Sequence, residues 1–354
     1  MTTNGKYIVG HDDPILVTGA AGFIGSKVVD ALLRSGFRNI RCLTRSARGV
    51  QKLAAVVQAY RDEANVEILC GNLLAPVDCV AAVRDIAVIY HLAAGASEKS
   101  VPDAFLNSVV TTRNLLEATL RHGRLMRFVN VSSFVVYDVA RKEKRILDEA
   151  CPGDLNPALF GDAYDFAKVK QDEIVSEYSQ KFHLPAVTVR PGYVYGPGKS
   201  AISGRVGTTT FGFFLHLGGP NTIPLTYVDN CADAIVLAGL RPGIEGEVFN
   251  VVDDELPSSR TFLRLYKNRV KRFRSLYLPP PLSYLFCLLW EQYSARSHGQ
   301  MPATFNRKKW HKFWKRTKYS NEKVKTMLDW QPRVPTSEGL RRYFESCRTS
   351  QYYA

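Results

Sequence analysis

The stretch ILVTGAAGFIGSKVVDALL, residues 15–33, runs from a short apolar segment through a glycine-rich turn into an amphipathic one. Residues 15–18 are apolar enough for a buried strand, and Gly19, Gly22 and Gly25 stand three apart in the turn that follows. Gly19 permits a tight turn, Gly22 lets the backbone approach a pyrophosphate, and Gly25 allows a helix to pack against the strand. The helix starting there offers unpaired N–H groups and the positive end of its dipole to an anion. With a strand before and a helix after, the glycines predict a dinucleotide-binding turn.

Working outward, the first two thirds of the chain repeat the same alternation. Apolar runs at 15–18, 40–43, 66–69, 87–92, 128–132 and 186–190 alternate with amphipathic segments at 26–35, 49–60, 76–84, 108–121 and 163–182. Strands this apolar, separated by helices, predict an α/β fold with a doubly wound parallel (Rossmann) sheet covered on both faces. After Gly198 the pattern loosens into Gly- and Pro-rich segments with more aromatic and basic residues. The expected division is a dinucleotide-binding domain over 1–190 and a smaller C-terminal substrate-binding lobe over 191–354, partly interleaved with the first.

Composition narrows the classes. With 354 residues, 45% hydrophobic and 23% charged, the chain is neither disordered, collagenous nor coiled coil. Seven cysteines, scattered and without a C-x-x-C pair, suggest neither a disulfide framework nor a metal site, and fit a reducing compartment. The first residues lack a leader pattern and no window reaches the ~20 apolar residues of a bilayer span, so a cytoplasmic location is expected. The net charge of +14 is concentrated: residues 261–354 hold 20 of the 47 Lys+Arg but 5 of the 33 Asp+Glu. The runs at 267–272 and 307–316 read as a solvated face, as a field for an anionic membrane, or as one for a phosphorylated substrate. No nucleic-acid motif accompanies them, and nucleic acid is not expected as a partner.

Further elements stand in order: HLAA (91–94), NSVVTTRNLLEA (107–118), VSSFVVYD (131–138), YDFAK (164–168), RPGYVYGPG (190–198), YVDNCADA (227–234), GEVFNV (246–251) and YSNEKVKTMLDWQP (319–332). Together with the G-x-x-G-x-x-G spacing this set, covering nearly the whole chain, resembles the extended short-chain dehydrogenase/reductase family, also called the NAD-dependent epimerase/dehydratase family. The resemblance implies hydride transfer at a secondary alcohol or ketone. Tyr164 and Lys168, four apart, share one helix face, and a buried ammonium beside a phenol is expected to favour phenolate. Tyr164 is then the acid/base. The resemblance implies that Ser133 holds the reacting oxygen and that Lys168 also bonds the nicotinamide ribose. It implies cofactor contacts from Gly19, Gly22, Phe23, Ile24, Gly25, Leu92, Ala93, Ala94, Lys168, Pro191, Gly192 and Val194. Asn107 is a second-tier position, structural or water-binding.

Two places inform the cofactor. Thr44 aligns with the acid that family members use on the adenosine ribose, and Arg45 follows, with Arg48 nearby; an arginine suits the 2′-phosphate, so NADP(H) is favoured over NAD(H). Asn72 and Leu73 occupy the family's Asp-Leu position beside the adenine. Family dehydratases place Asp-Glu after the Ser/Thr, whereas this chain has Phe134 and Val135, so a 4,6-dehydratase is not expected.

The family's diphosphate-clamping arginine before Tyr-Val-Asp is absent from 221–229, where Arg205 or the basic lobe could substitute. The apolar segment 278–293 is similar to that of the 3β-hydroxysteroid dehydrogenase and dihydroflavonol reductase branches, and could rest peripherally on an anionic bilayer or pack as a core helix. A nucleotide-sugar epimerase or reductase and an enzyme of lipid or aryl alcohols both stay open, as does a non-catalytic NADP-binding sensor. The resemblance also implies a homodimer paired through 108–121 and 163–182.

Overall fold

The computed structural model describes residues 6–95, 100–122, 124–140, 146–154, 162–199, 202–210, 212–297 and 300–352. Strand β1 (Ile15–Thr18) leads into α1 (Gly25–Arg34), β2 (Asn39–Thr44) into α2 (Ala47–Val57), β3 (Asn65–Cys70) into α3 (Pro76–Val83) and β4 (Val88–His91) into α4 (Val101–Ala104). A π-helical turn, Phe105–Val110, joins α4 to α5 (Thr111–His122), so the expected helix at 108–121 is the end of a longer rod. β5 (Arg127–Val131), short β6 (Ile146–Leu147), α6 (Ala163–Phe182) and β7 (Ala186–Pro191) follow. Then come β8 (Tyr193–Tyr195), β9 (Gly207–Thr210), β10 (Phe213–His216), β11 (Leu225–Tyr227), α7 (Val228–Leu240) and β12 (Val248–Val251).

The main sheet is seven-stranded and parallel, in the order β12-β7-β5-β4-β1-β2-β3. Ile15 pairs with both Ile40 and Val88, so β1 lies at the centre. Alternate side chains of β1 serve opposite layers: Ile15 and Val17 join the core under α1 and α7, and Leu16 joins the core under α3, α5 and α6. The chain's direction of travel across the sheet reverses between β1 and β4. A crevice opens there at the carboxyl ends of the strands, the usual ligand position of such folds.

The remaining elements are α8 (Ser259–Arg269), β13 (Ser275–Tyr277), α9 (Pro280–Arg296), α10 (Arg307–Lys309), β14 (Lys318–Tyr319), α11 (Glu322–Leu328) and α12 (Thr336–Tyr352), with a π-helical turn at Trp310–Trp314. β9, β10 and β13 form a small sheet, and β14 pairs with β6. Cys287 of α9 packs with Leu215, Leu217, Phe305 and Trp314. The opposite face of α9 exposes Leu282 (55%), Leu285 (48%), Leu289 (56%) and Tyr293 (59%). No helix among the described residues is long and apolar enough to cross a membrane.

Candidate active site

The crevice is a cavity of about 460 Å³. Its floor is the glycine turn. Gly19 has φ +66°, and a Cβ there would stand 2.9 Å from the Ala93 nitrogen; one on Gly25 would overlap the Gly19 carbonyl oxygen. Gly22 meets only that same carbonyl, leaving its other side open. Such a floor fits a dinucleotide's pyrophosphate against the start of α1.

Of the residues singled out in the sequence, Gly19, Gly22, Phe23, Ile24, Gly25, Arg45, Asn72, Leu73, Leu92, Ala93, Ala94, Tyr164 and Lys168 line the cavity. Ser133, Pro191, Gly192 and Val194 do not. Gly192 is required for another reason: a side chain there would collide with the Pro224 carbonyl, which accepts a hydrogen bond from the Tyr193 N–H at 2.6 Å. Val194 is buried in the core.

At the adenosine end, Thr44, Arg45 and Ser46 join the wall. The Ser46 hydroxyl caps α2 by accepting from the Gly49 N–H at 3.2 Å, and Arg45 donates to Asn107 Oδ1 at 3.1 Å. Asn72 closes its own turn, its Oδ1 accepting from the Leu74 N–H at 3.1 Å. Lys199, one residue beyond the RPGYVYGPG element and carrying no motif of its own, also reaches the wall. Its ammonium lies over the rings of Phe23 and Tyr193, 5.1 and 5.3 Å from their centroids.

At the other end, Ser133 is near enough to the Tyr164 phenol to pull its pKa down, and its hydroxyl accepts from the Val135 N–H at 3.4 Å. The expected acidification of that phenol by Lys168 is corrected. Burial pushes Tyr164 up to about 12; Ser133 opposes this, while Asp165, Asp162 and Asp172 add to it. Burial also pulls the Lys168 ammonium down to about 8, against the attraction of Asp172. The lysine is tied instead to the sheet, donating to the Val131 carbonyl at 2.7 Å and to Gln171 Oε1 at 2.8 Å. A low-dielectric setting disfavours both charged forms, and here that effect outweighs their proximity on the helix.

Behind Lys168 runs a buried chain that spacing alone did not reveal. Gln171 Nε2 donates to Thr112 Oγ1 at 2.9 Å; His91 lies 2.8 Å from Thr112 on one ring nitrogen and 2.8 Å from Thr18 on the other. Because Thr112 donates its own proton to the Ser108 carbonyl, it accepts from His91 Nε2, which assigns the Nε2–H tautomer and leaves Nδ1 to accept from Thr18. Burial, reinforced by Lys168, holds His91 down to about 3, hence neutral.

The basic run 307–316 is only partly a solvated face. Arg307 pairs with Glu291 at 2.9 Å, Lys308 with Asp154 at 2.6 Å, and Lys312 with Asp165. Arg205 is likewise engaged: it donates to the Lys312 carbonyl at 2.9 Å and to Tyr319 Oη at 3.3 Å. Trp310 and Trp314 pack, their indole N–H groups donating to Ser283 and to the Gly204 carbonyl, both at 2.9 Å.

Residues 15–251 match the NAD dependent epimerase/dehydratase family. Over 257 residues the chain is 26% identical to the trifunctional UDP-glucose 4,6-dehydratase/UDP-4-keto-6-deoxy-D-glucose 3,5-epimerase/UDP-4-keto-L-rhamnose-reductase of Arabidopsis thaliana, covering 67% of this chain and 36% of that protein. It therefore spans about a third of the length of that relative. It is 28% identical over 355 residues to UDP-glucose 4-epimerase of Mycolicibacterium smegmatis, covering 94% of this chain and 98% of the other. In fold it is similar to UDP-glucuronic acid 4-epimerase of Bacillus cereus, solved with UDP-glucuronic acid and NAD, with a TM-score of 0.70, 23% identity, and coverage of 95% and 99%.

Proposed function

Because this chain belongs to the NAD dependent epimerase/dehydratase family, we propose that it is a nicotinamide-dependent oxidoreductase or epimerase working at a secondary alcohol or ketone of a nucleotide sugar. The observation that carries this reading is that Tyr164 and Lys168 stand together on the wall of the glycine-floored cavity, with Ser133 near the phenol. The nucleotide-sugar relatives support the substrate class.

When bound, a nicotinamide dinucleotide supplies the hydride donor and acceptor. Gly19, Gly22 and Gly25 would hold its pyrophosphate, with Leu92, Ala93 and Ala94 lining the same cavity. Ser133 hydrogen-bonds the reacting oxygen. In reduction Tyr164 donates its proton to the ketone oxygen and is left as phenolate; in oxidation it enters as phenolate and takes the proton of the alcohol. Lys168 has two N–H donors committed to Val131 and Gln171, which leaves a third that would serve the ribose. Residues 1–190 hold the dinucleotide and 191–354 the substrate. NADP(H) is the preferred coenzyme, since Arg45, Ser46 and the start of α2 form a donor set suited to a 2′-phosphate. A 4,6-dehydration is disfavoured because buried Phe134 and its neighbour Val135 offer no acid and base.

A second substrate reading, a lipid or aryl alcohol, is favoured by one observation: Arg205, the candidate diphosphate clamp, is committed to Lys312 and Tyr319. With it goes peripheral contact with anionic membrane through the exposed face of α9, whose approach, residues 261–290, carries six cations and no acid. A homodimer would bury exposed Leu106, Leu120 and Phe182, and light scattering should give twice the chain mass.

The test is turnover of NADPH and NADH with UDP-sugar ketones and, separately, with 3-ketosteroids, and interconversion of UDP-glucose and UDP-galactose. Activity on one class should collapse in Tyr164→Phe. Full activity in that variant would refute the mechanism.

A further inference from the structure

Tyr164 and Ser133 lie in different elements, one at the start of α6 and the other in the turn after β5, and the same side chain touches the neighbours of both. Lys312, on the π-helical turn of the C-terminal lobe, donates to the Val135 carbonyl at 2.7 Å and pairs with the carboxylate of Asp165. Val135 is two residues past Ser133, and Asp165 follows Tyr164 directly. Both charged side chains are buried, Lys312 at 7% exposure and Asp165 at 9%. The lysine is itself held from behind: Arg205 bonds its carbonyl, Asn221 Nδ2 donates to the Phe313 carbonyl at 2.7 Å, and Tyr319, bonded to Arg205, stacks on Phe134 at 5.6 Å.

We propose that Lys312 is a positioning residue: from the C-terminal lobe it locks the Ser133 turn to the Tyr164 end of α6 and neutralises the carboxylate beside the catalytic phenol. The proposal rests on Tyr164 being the proton-transfer group.

Stability alone does not account for the pair. Burial drives Asp165 up and Lys312 down, each toward its neutral form, and their mutual attraction only partly offsets this. A buried pair of this kind contributes little net stability compared with apolar packing, whereas losing one partner strands a charge. What it supplies is geometry, with the ammonium anchored at a carbonyl and a carboxylate that flank the two reacting side chains. It also supplies a local field. Asp165, Asp162 and Asp172 of α6 all raise the Tyr164 phenol, Ser133 from the β5 turn lowers it, and Asp165 carries the cation of Lys312. The groups acting on Lys312 are Asp165 and Asp162, with Arg205 opposing.

The experiment compares Lys312→Met, Lys312→Arg and the double variant Lys312→Met/Asp165→Asn in the full chain near neutral pH. The first readout is amide hydrogen exchange over residues 131–138 and 162–168; the second is kcat against coenzyme KM on whichever probe is turned over. Lys312→Met removes the bridge between the Val135 carbonyl and Asp165, so exchange in both segments should rise while Lys312→Arg resembles the parent. In Lys312→Met kcat should fall about 10- to 100-fold through misplacement, with KM for the coenzyme little changed. The double variant strands no charge and should regain thermal stability, yet still show the raised exchange and the lowered kcat. Exchange in Lys312→Met that matches the parent in both segments overturns the proposal, as does a double variant that recovers both readouts. If Lys312→Met does not fold, the double variant decides alone. Raised exchange as expected without turnover of any probe by the parent would refute the proposed enzymology while sustaining the Lys312 lock.

Discussion

The Arg45 guanidinium donates to the side-chain oxygen of Asn107 across 3.1 Å, linking the turn after β2 to the π-helical turn ahead of α5 at the rim of the cavity. Both residues line the wall, and on the proposed NADP(H) reading the arginine is the group that meets the adenosine 2′-phosphate. Arg45→Ala should weaken NADP+ binding by about 1.5 to 3 kcal/mol, roughly 10- to 100-fold, and NAD+ binding far less. Calorimetric titration of both coenzymes checks this, and equal losses for the two would remove the 2′-phosphate assignment.

Gly25→Ala should be the most damaging single change in the glycine turn. Its methyl would overlap the Gly19 carbonyl and stand 2.9 Å from Ala20 Cα, both backbone, so α1 would have to move off β1. A cost of about 1 to 3 kcal/mol is expected, with loss of dinucleotide binding. Chemical denaturation with and without coenzyme measures both effects.

Burial holds His91 down to about 3 from its ordinary 6.5. The folded protein keeps this ring neutral while the unfolded chain takes up a proton, so His91 costs no stability above 6.5 and progressively more as pH falls from 6.5 toward 3. In that window His91→Gln should lower the pH slope of the unfolding free energy by up to about 1.4 kcal/mol per pH unit. Urea unfolding at several acidic pH values would give the slopes; identical slopes would mean the ring titrates normally.

On the proposed membrane reading, the protein should co-sediment with vesicles containing phosphatidylserine and weakly with phosphatidylcholine alone. Leu285→Glu/Leu289→Glu should abolish this while leaving the melting temperature nearly unchanged, since both side chains are about half exposed. Retained sedimentation in the double variant would point away from α9.

Much of the sheet was legible because apolar runs separated by amphipathic segments have few other ways to bury themselves. Expected strands at 15–18, 40–43, 66–69, 128–132 and 186–190 fall within one or two residues of the observed ones, and the helix at 163–182 coincides with α6. The glycine floor was equally legible, because each glycine answers a local steric demand. Less visible was anything depending on partners distant in sequence. Lys199 reaches the cavity through the turn beyond β8, and Gln171, Thr112 and His91 meet only once α5 and α6 pack on β4.

Local pattern alone thus determined the parallel sheet and the dinucleotide turn, since these follow from periodicity and backbone sterics, while the candidate site residues followed from the resemblance of their motifs to the family's. Tertiary structure decided the electrostatics. A helix face sets Tyr164 and Lys168 near one another, but burial raises one and lowers the other, while a basic run that reads as a solvated surface sends Lys308 and Lys312 to Asp154 and Asp165. Charge interactions depend on distance and dielectric in three dimensions, and neither quantity is written along the chain.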